Sequence, residues 1–339
     1  MSVLTKAPKF WVQAHHPLSF ILAPLGFLYG LGVQARFALT KPYRSTLPVI
    51  CIGNFTVGGG GKTPLALEVA DLLIKAGYKP VFLTRGYGGR IKGPHLVDAK
   101  NDSAADVGDE PLLLARTASV IVCADRAQGA RFIERLDTDV IIMDDGFQNP
   151  TLYKNLSLLV VDQATGFGNG RIFPAGPLRA GLGFQMVKAG TLALVGKRGG
   201  SPEIEQRFRG AVFYLELKAR GDVGWLRETR VSAVSGIANP GKFYASLEKL
   251  AARIVQKHEF PDHHMFCEKE AATILQAAAR DELPIVMTQK DWVRLPQTGE
   301  RGRLRDMARV LHVRMTIDQP RKLLSQLENA ISFATQDID

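Results

Sequence analysis

Residues 47–78 read LPVICIGNFTVGGGGKTPLALEVADLLIKAGY. The unbroken apolar run 49–52 predicts a strand buried on both faces. Leu65, Val69, Leu72 and Leu73 recur at helical spacing and predict a helix over 64–76, with the glycines forming the loop between. Strand, glycine loop and helix are the setting of a phosphate-binding P-loop. The pattern G-x-x-x-x-G-K-[ST] is met by residues 56–63 except at its first position, where Thr56 stands in place of glycine. The chemistry survives that change. Glycines let backbone N–H groups turn toward phosphate oxygens with no Cβ in the way, and the helix N-terminus adds partial positive charge. Thr56, Val57, Gly58, Gly59, Gly60, Gly61, Lys62 and Thr63 are therefore the candidate nucleotide-binding residues. Lys62 would reach the β- and γ-phosphates of ATP and the Thr63 hydroxyl would take a place on Mg²⁺.

Working outward, residues 79–84 (KPVFLT) predict a second strand leading to RGYGGR at 85–90. Arg85 and Arg90 lie on a glycine-rich loop at a strand's carboxyl end, where open parallel sheets bind ligands; exposed loop arginines of no function have the same pattern. Asp109 and Glu110 stand at a helix start, where acidic groups also serve as caps. Residues 139–143 (DVIIM) predict a strand that delivers Asp144 and Asp145, a Walker-B-like placement of carboxylates toward nucleotide-bound Mg²⁺. A further strand over 156–161 is followed by GFGNGRIFPAGPLR at 166–179, whose Arg179 is a candidate to stabilise charge on a transferring phosphoryl group.

Past residue 198 the texture changes. Residues 212–218 alternate and predict a strand of a linking hairpin, and a fresh αβ rhythm follows with strands over 231–235, 254–260 and 284–288. His263 and His264 follow Asp262 in a loop. Adjacent histidines do not share one metal from a regular helix, so zinc is not expected; a histidine beside an aspartate assists proton transfer or is plain loop surface.

The 339 residues suggest two domains, and 43 basic against 33 acidic side chains give a net charge of +10, which favours anionic partners. The basic residues are dispersed, without a basic-aromatic run, so nucleic acid is not expected. Cys51, Cys123 and Cys267 are far apart, which excludes a disulfide framework or zinc ribbon and fits a reducing cytosol. Residues 17–35 carry no formal charge, approaching the ~20 residues of a membrane span, but prolines and glycines dilute them. With Lys6, Lys9, Arg36, Lys41 and Arg44 as flanks, a helix lying in the cytoplasmic face of a membrane is expected, ahead of a buried core helix or a true span.

Taken in order, PYRS at 42–45, GNFTVGGGGKTP at 53–64, LTRGYG at 83–88, GDEP at 108–111, ADR at 124–126, DDGFQ at 144–148, GPLR at 176–179, GIANP at 236–240, PDHH at 261–264 and TQKD at 288–291 resemble the tetraacyldisaccharide 4′-kinase (lipid A 4′-kinase) family of Gram-negative bacteria. The resemblance covers nearly the whole chain. It implies transfer of the γ-phosphate of ATP to the 4′-hydroxyl of a tetraacylated glucosamine disaccharide 1-phosphate, giving lipid IVA, by a peripheral or monotopic monomer on the cytoplasmic side of the inner membrane. It implies Asp109 as the base with His263 as its partner, Asp144 and Asp145 for Mg²⁺, and Glu110, Arg179 and Arg85 in support; the residues alone do not single out Asp109 or His263. Three positions depart from the family pattern: Ala180 where many relatives carry a metal-side glutamate, Asn149 in place of histidine, and Gln289 in place of glutamate.

The expected architecture is α/β: a P-loop NTPase-like parallel sheet domain and a smaller α/β domain. The expected divisions are a membrane-associated segment 1–45, a kinase domain 46–210, a hairpin linker 211–228 and the smaller domain 229–339. A P-loop kinase of another membrane lipid shares every motif and differs only in substrate. A membrane-associated regulatory ATPase is the other alternative, disfavoured because no lysine appears at 53–61.

Overall fold

Every residue of β1 (Val49–Asn54) is buried, because parallel partners bond both its edges and helices cover both its faces. The structure, a computed structural model, describes residues 8–58, 60–200 and 202–336. Chain order then gives β2 (Pro80–Thr84), β3 (His95–Leu96), β4 (Val120–Val122), β5 (Val140–Asp144), β6 (Leu156–Asp162), β7 (Thr191–Val195) and β8 (Ala211–Ala219). After these come β9 (Arg230–Ser235), β10 (Arg253–Glu259), β11 (Ile285–Thr288), β12 (Ala308–Leu311) and β13 (Val313–Ile317). Among the described residues they form a nine-stranded sheet, ordered β13-β8-β7-β6-β1-β5-β2-β4-β3, and a four-stranded sheet, ordered β10-β9-β11-β12. The small sheet is parallel throughout, and the large one is parallel except at its two edges, β13 and β3.

Alternation along β1 sorts the core of the large sheet. Ile50 and Ile52 face Leu65, Val69 and Leu73 of the helix Lys62–Lys75, while Val49 and Cys51 join Ile133, Met143 and Leu159 on the other face. The small sheet repeats the pattern: Val231 and Ala233 pack on Phe243 and Leu247, and Val234 on Ile274 and Ala278.

Two expected boundaries are corrected. Residues 212–218 lie in β8, an integral strand of the large sheet, and not in a local hairpin. The partner strand is β13, paired antiparallel from Val313 opposite Ala219 to Ile317 opposite Leu215. The chain thus leaves the large sheet on β8, builds the small one, and returns on β13. Residues 313–336, expected in the smaller domain, belong by burial to the larger. Leu323, Leu327 and Ile331 of the terminal helix Pro320–Gln336 pack with Leu65 and Val69, because these side chains share one apolar face. Arg314 fastens the return, donating from Nε to Glu68 Oε2 at 2.7 Å and pairing with Asp71 at 3.1 Å.

The N-terminal apolar run forms two helices, Pro17–Ile21 and Ala23–Leu39, and no described helix is long and apolar enough to cross a membrane. Pro24 sits in the first turn of the second helix, where proline costs no hydrogen bond. Gly26 and Gly30 let that helix close on Ile172: a Cβ at Gly26 would meet the Ile172 carbonyl at 2.7 Å. Trp11 Nε1 donates to Pro174 O, and Asn169 Nδ2 donates to Phe10 O and Ser19 Oγ. The segment 166–179 thereby holds the helix pair. Leu25, Phe27, Leu28 and Leu31 remain exposed on it.

Candidate active site

The glycine loop opens onto the helix Lys62–Lys75 through Gly61, whose φ of +91° and whose neighbours Met315, Val195 and Val160 leave little room for a side chain. Lys62 and Thr63 occupy the first turn of that helix, so their N–H groups have no intrahelical acceptor and point where an anion would sit. Asn54 at the end of β1 pins the loop by donating to the Gly58 carbonyl at 3.1 Å. Thr56 and Val57 are clasped by the segment 166–179: Val57 N donates to Pro177 O, and Thr56 forms a bridge with Leu178. Gly59 lies outside the described residues.

Parallel pairing sets the carboxylates beside this loop. Asp144, at the end of β5, is in register with Ile52 of β1, and Asp145 follows at φ +47° in the turn. Their surroundings differ. Asp145 receives two bonds from Arg179, at 2.7 and 3.2 Å, and lies 3.5 Å from Lys62 Nζ. Burial would raise its pKa, but Lys62 and Arg179 outweigh burial and hold the carboxyl at about 2. Asp144 is fully buried, and neither oxygen has a hydrogen-bond partner among the described residues. Burial first, then the Glu110 and Asp145 carboxylates, push it up to about 7. A buried carboxylate with both oxygens unclaimed, next to a phosphate cradle, fits a hard divalent cation. The two aspartates expected together at Mg²⁺ thus differ in surroundings: the Asp144 oxygens are unclaimed, and Asp145 pairs with Lys62 and Arg179.

Arg179 also donates from Nε to Thr56 O at 3.0 Å and from NH1 to Gln148 Oε1 at 3.1 Å, so one guanidinium spans loop and strand end. Ala180 is buried and brings no carboxylate; its carbonyl accepts from Gln185 instead. Asn149 closes its own turn by accepting from Thr151. Arg85 is exposed at the end of β2, close enough to the buried Arg126 to repel it.

Asp109 opens the short helix Asp109–Leu114 and is 4% exposed. His263, at φ +58° in the loop after β10, brings Nδ1 to 3.0 Å from Asp109 Oδ2. Lys290 Nζ stands 3.3 Å from His263 Nε2 and 3.3 Å from Glu110. An ammonium offers only protons, so Nε2 accepts and Nδ1–H donates to Asp109. Arg294 reaches Asp109 Oδ2 from Nε at 2.7 Å and from NH2 at 2.5 Å. Burial pushes the Asp109 carboxyl up, but His263, Lys290 and Arg294 prevail and hold it well below the ordinary carboxylate range. The small sheet thus completes a site begun by the large one: Lys62 pairs with Asp145 at the loop, Lys290 joins Glu110 to His263, and the Glu110 charge is felt at Asp144.

Sequence reasoning missed Arg294 and Lys290. The only signal was TQKD at 288–291, whose Asp291 closes the first turn of the helix Gln289–Trp292 through Thr288.

A glycine loop leading into a helix at the end of a buried parallel strand, with carboxylates at the neighbouring strand end and a carboxylate–histidine pair brought together from two sheets, is the plan of a P-loop phosphotransferase. The family model for tetraacyldisaccharide-1-P 4′-kinase matches residues 18–332. The chain belongs to that family, which bears out the resemblance carried by its motifs, and the protein is a kinase. It is 44% identical over 338 residues to tetraacyldisaccharide 4′-kinase of Parvibaculum lavamentivorans, covering 97% of this chain and 99% of that one. It is also 44% identical to the enzyme of the same name from Methylobacterium radiotolerans, covering 96% and 99%. The crystal structure of the "apo" form of LpxK from Aquifex aeolicus in complex with ATP superposes with a TM-score of 0.74 at 26% identity, covering 93% of this chain and 99% of that one.

Proposed function

We propose that the protein transfers the γ-phosphoryl group of ATP to the 4′-hydroxyl of a tetraacylated glucosamine disaccharide 1-phosphate at a membrane surface. The observation that carries this reading is the pairing of buried Asp109 with His263, brought together from the two sheets, with Lys290 linking His263 to Glu110, whose charge is felt at Asp144 beside the phosphate loop. Within it, the amides of the loop 56–63 surround the phosphate chain and Lys62 leaves Gly58 and Asp145 to reach the β- and γ-phosphates. Asp144 and Thr63 would hold Mg²⁺, which when bound neutralises charge on the phosphate oxygens. Arg179, aimed by Asp145, meets the charge that develops on the transferring group. Asp109 receives the hydroxyl proton, and His263 orients it. Glu110 keeps Lys290 in place, and Arg85 offers a positive charge at the cleft.

We further propose that the helices of residues 17–39 seat in the cytoplasmic face of the membrane by their exposed apolar side chains, bringing the site to the lipid headgroup. The decisive assay is purified protein in detergent with labelled ATP and the disaccharide 1-phosphate, the position of the new phosphate mapped by NMR. Label at the 4′ position is expected. ATP turnover indifferent to the lipid would replace this reading with a regulatory ATPase, and preference for another lipid would replace the substrate.

A further inference from the structure

Arg294 lies on the small sheet's side of the cleft, two residues beyond the helix Gln289–Trp292, and its side chain is 1% exposed. All three guanidinium nitrogens are engaged. Nε and NH2 both donate to Asp109 Oδ2, while NH1 donates to Gly236 O at 2.7 Å and to Asp291 Oδ1 at 2.9 Å. The anchor is itself rigid. Asp291 is wholly buried, accepts from Gly236 N at 3.0 Å and from Thr288 Oγ1 at 2.6 Å, and a Cβ at Gly236 would crowd its Oδ1 at 2.9 Å. A planar fork held on one side by a fixed carboxylate and a fixed carbonyl leaves its other side little freedom of direction.

We propose that Arg294, locked by Asp291 and the Gly236 carbonyl, is a positioning residue that selects which oxygen of Asp109 meets the acceptor hydroxyl. This rests on the function proposed above. Arg294 takes Oδ2 with two donors, and His263 Nδ1 adds a third at 3.0 Å. Oδ1 accepts from Glu110 N at 2.9 Å and more distantly from His263 at 3.2 Å, and so keeps acceptor capacity for a proton arriving from substrate. Arginine does not give up its proton, so Arg294 holds the carboxylate rather than relaying through it. Holding matters more than basicity here. In a loose phosphoryl-transfer transition state the hydroxyl has little need of an early proton acceptor and much need of orientation. The charged groups facing Asp109 are Glu110 on its own helix, Asp262 and His263 on the loop after β10, and Lys290 and Arg294 on the segment after β11. Of these, Arg294 alone contributes two short bonds to one oxygen.

The test uses the full chain with Arg294→Met, Arg294→Lys and Asp291→Asn, and two readouts. The first is kcat and KM for ATP with the lipid disaccharide. Arg294→Met is expected to lower kcat by about 10²-fold, the cost of a misplaced reacting group, with KM for ATP within about twofold. Arg294→Lys keeps the charge but not the fork, and Asp291→Asn keeps the fork but loosens its anchor, so each recovers only part of kcat. The second readout is the ¹³C NMR titration of the Asp109 carboxyl, assigned by its loss in Asp109→Asn. Its midpoint should rise by about one unit or more in Arg294→Met and stay near wild type in Arg294→Lys. The titration needs no turnover, so failure of the wild type to phosphorylate the lipid would count against the proposed function and leave this contact separately decided. In Arg294→Met, unchanged kcat, an unmoved midpoint, or a kcat loss matched by an equal loss of folded protein would overturn the positioning role. Should Arg294→Met fail to fold, Arg294→Lys decides: full activity overturns the proposal, and a loss of about fivefold or more with an unmoved midpoint supports it.

Discussion

Asp109 and His263 are 154 positions apart in the chain, yet Nδ1 of the histidine stands 3.0 Å from Oδ2 of the aspartate. Neither sheet holds both residues, so the pair exists only when the two sheets face one another. If the two act as one unit, His263→Ala should lower kcat by about 10²-fold and Asp109→Asn by about 10³-fold or more, with KM for ATP little changed. The double variant should be no slower than Asp109→Asn alone, because members of one unit do not add. Additive losses in steady-state kinetics would separate them.

The same carboxylate makes stability depend on pH. Asp109 holds its proton less tightly folded than unfolded, since His263, Lys290 and Arg294 overcome the opposing effect of burial. Its contribution is therefore complete above the unfolded value near 3.8 and fades as pH falls below it. At pH 7, Asp109→Asn leaves the buried Arg294 with Asp291 as its one carboxylate and should cost about 1–3 kcal/mol in urea unfolding. The gap between wild type and variant should narrow from pH 6 to pH 3; a constant gap would contradict the charge pairing.

Asp144 has the opposite signature. A buried carboxylate with no partner among the described residues costs the fold free energy until something binds it. Asp144→Asn should stabilise the Mg²⁺-free protein by about 1–3 kcal/mol while abolishing turnover. Loss of stability on this substitution would mean that the oxygens are already satisfied.

Leu25 and Leu28 are more than half exposed on the helix Ala23–Leu39, whose Gly26 and Gly30 face Ile172. Replacing both with serine should weaken flotation with anionic vesicles by about tenfold or more and leave the melting temperature unchanged. Equal vesicle binding by the variant would remove this face from membrane attachment.

Much of this was legible because the signals are local. Glycines 58–61 with Lys62 and Thr63, and the apolar run that ends in Asp144, each announce strand, loop and helix within a few residues. β13 was hidden because its alternation lasts only five residues, and its partner β8 lies nearly a hundred positions earlier. Arg294 was hidden for a related reason: an arginine in sequence reads as surface, and only the convergence of Asp109, Asp291 and the Gly236 carbonyl explains one that is buried. The Asp109–His263 pair came from family resemblance alone, since nothing near either residue names the other.

The segment 166–179 touches the N-terminal helices at one end, through Asn169 and Ile172, and the phosphate loop at the other, through Pro177 and Arg179. It is a fixed strut between those helices and the phosphate loop. Were the helices seated in a bilayer, as proposed, its length would set how far above the lipid surface the γ-phosphate rides. A sugar hydroxyl at one height is then within range, and one lying deeper or further out is not, whatever its chemistry.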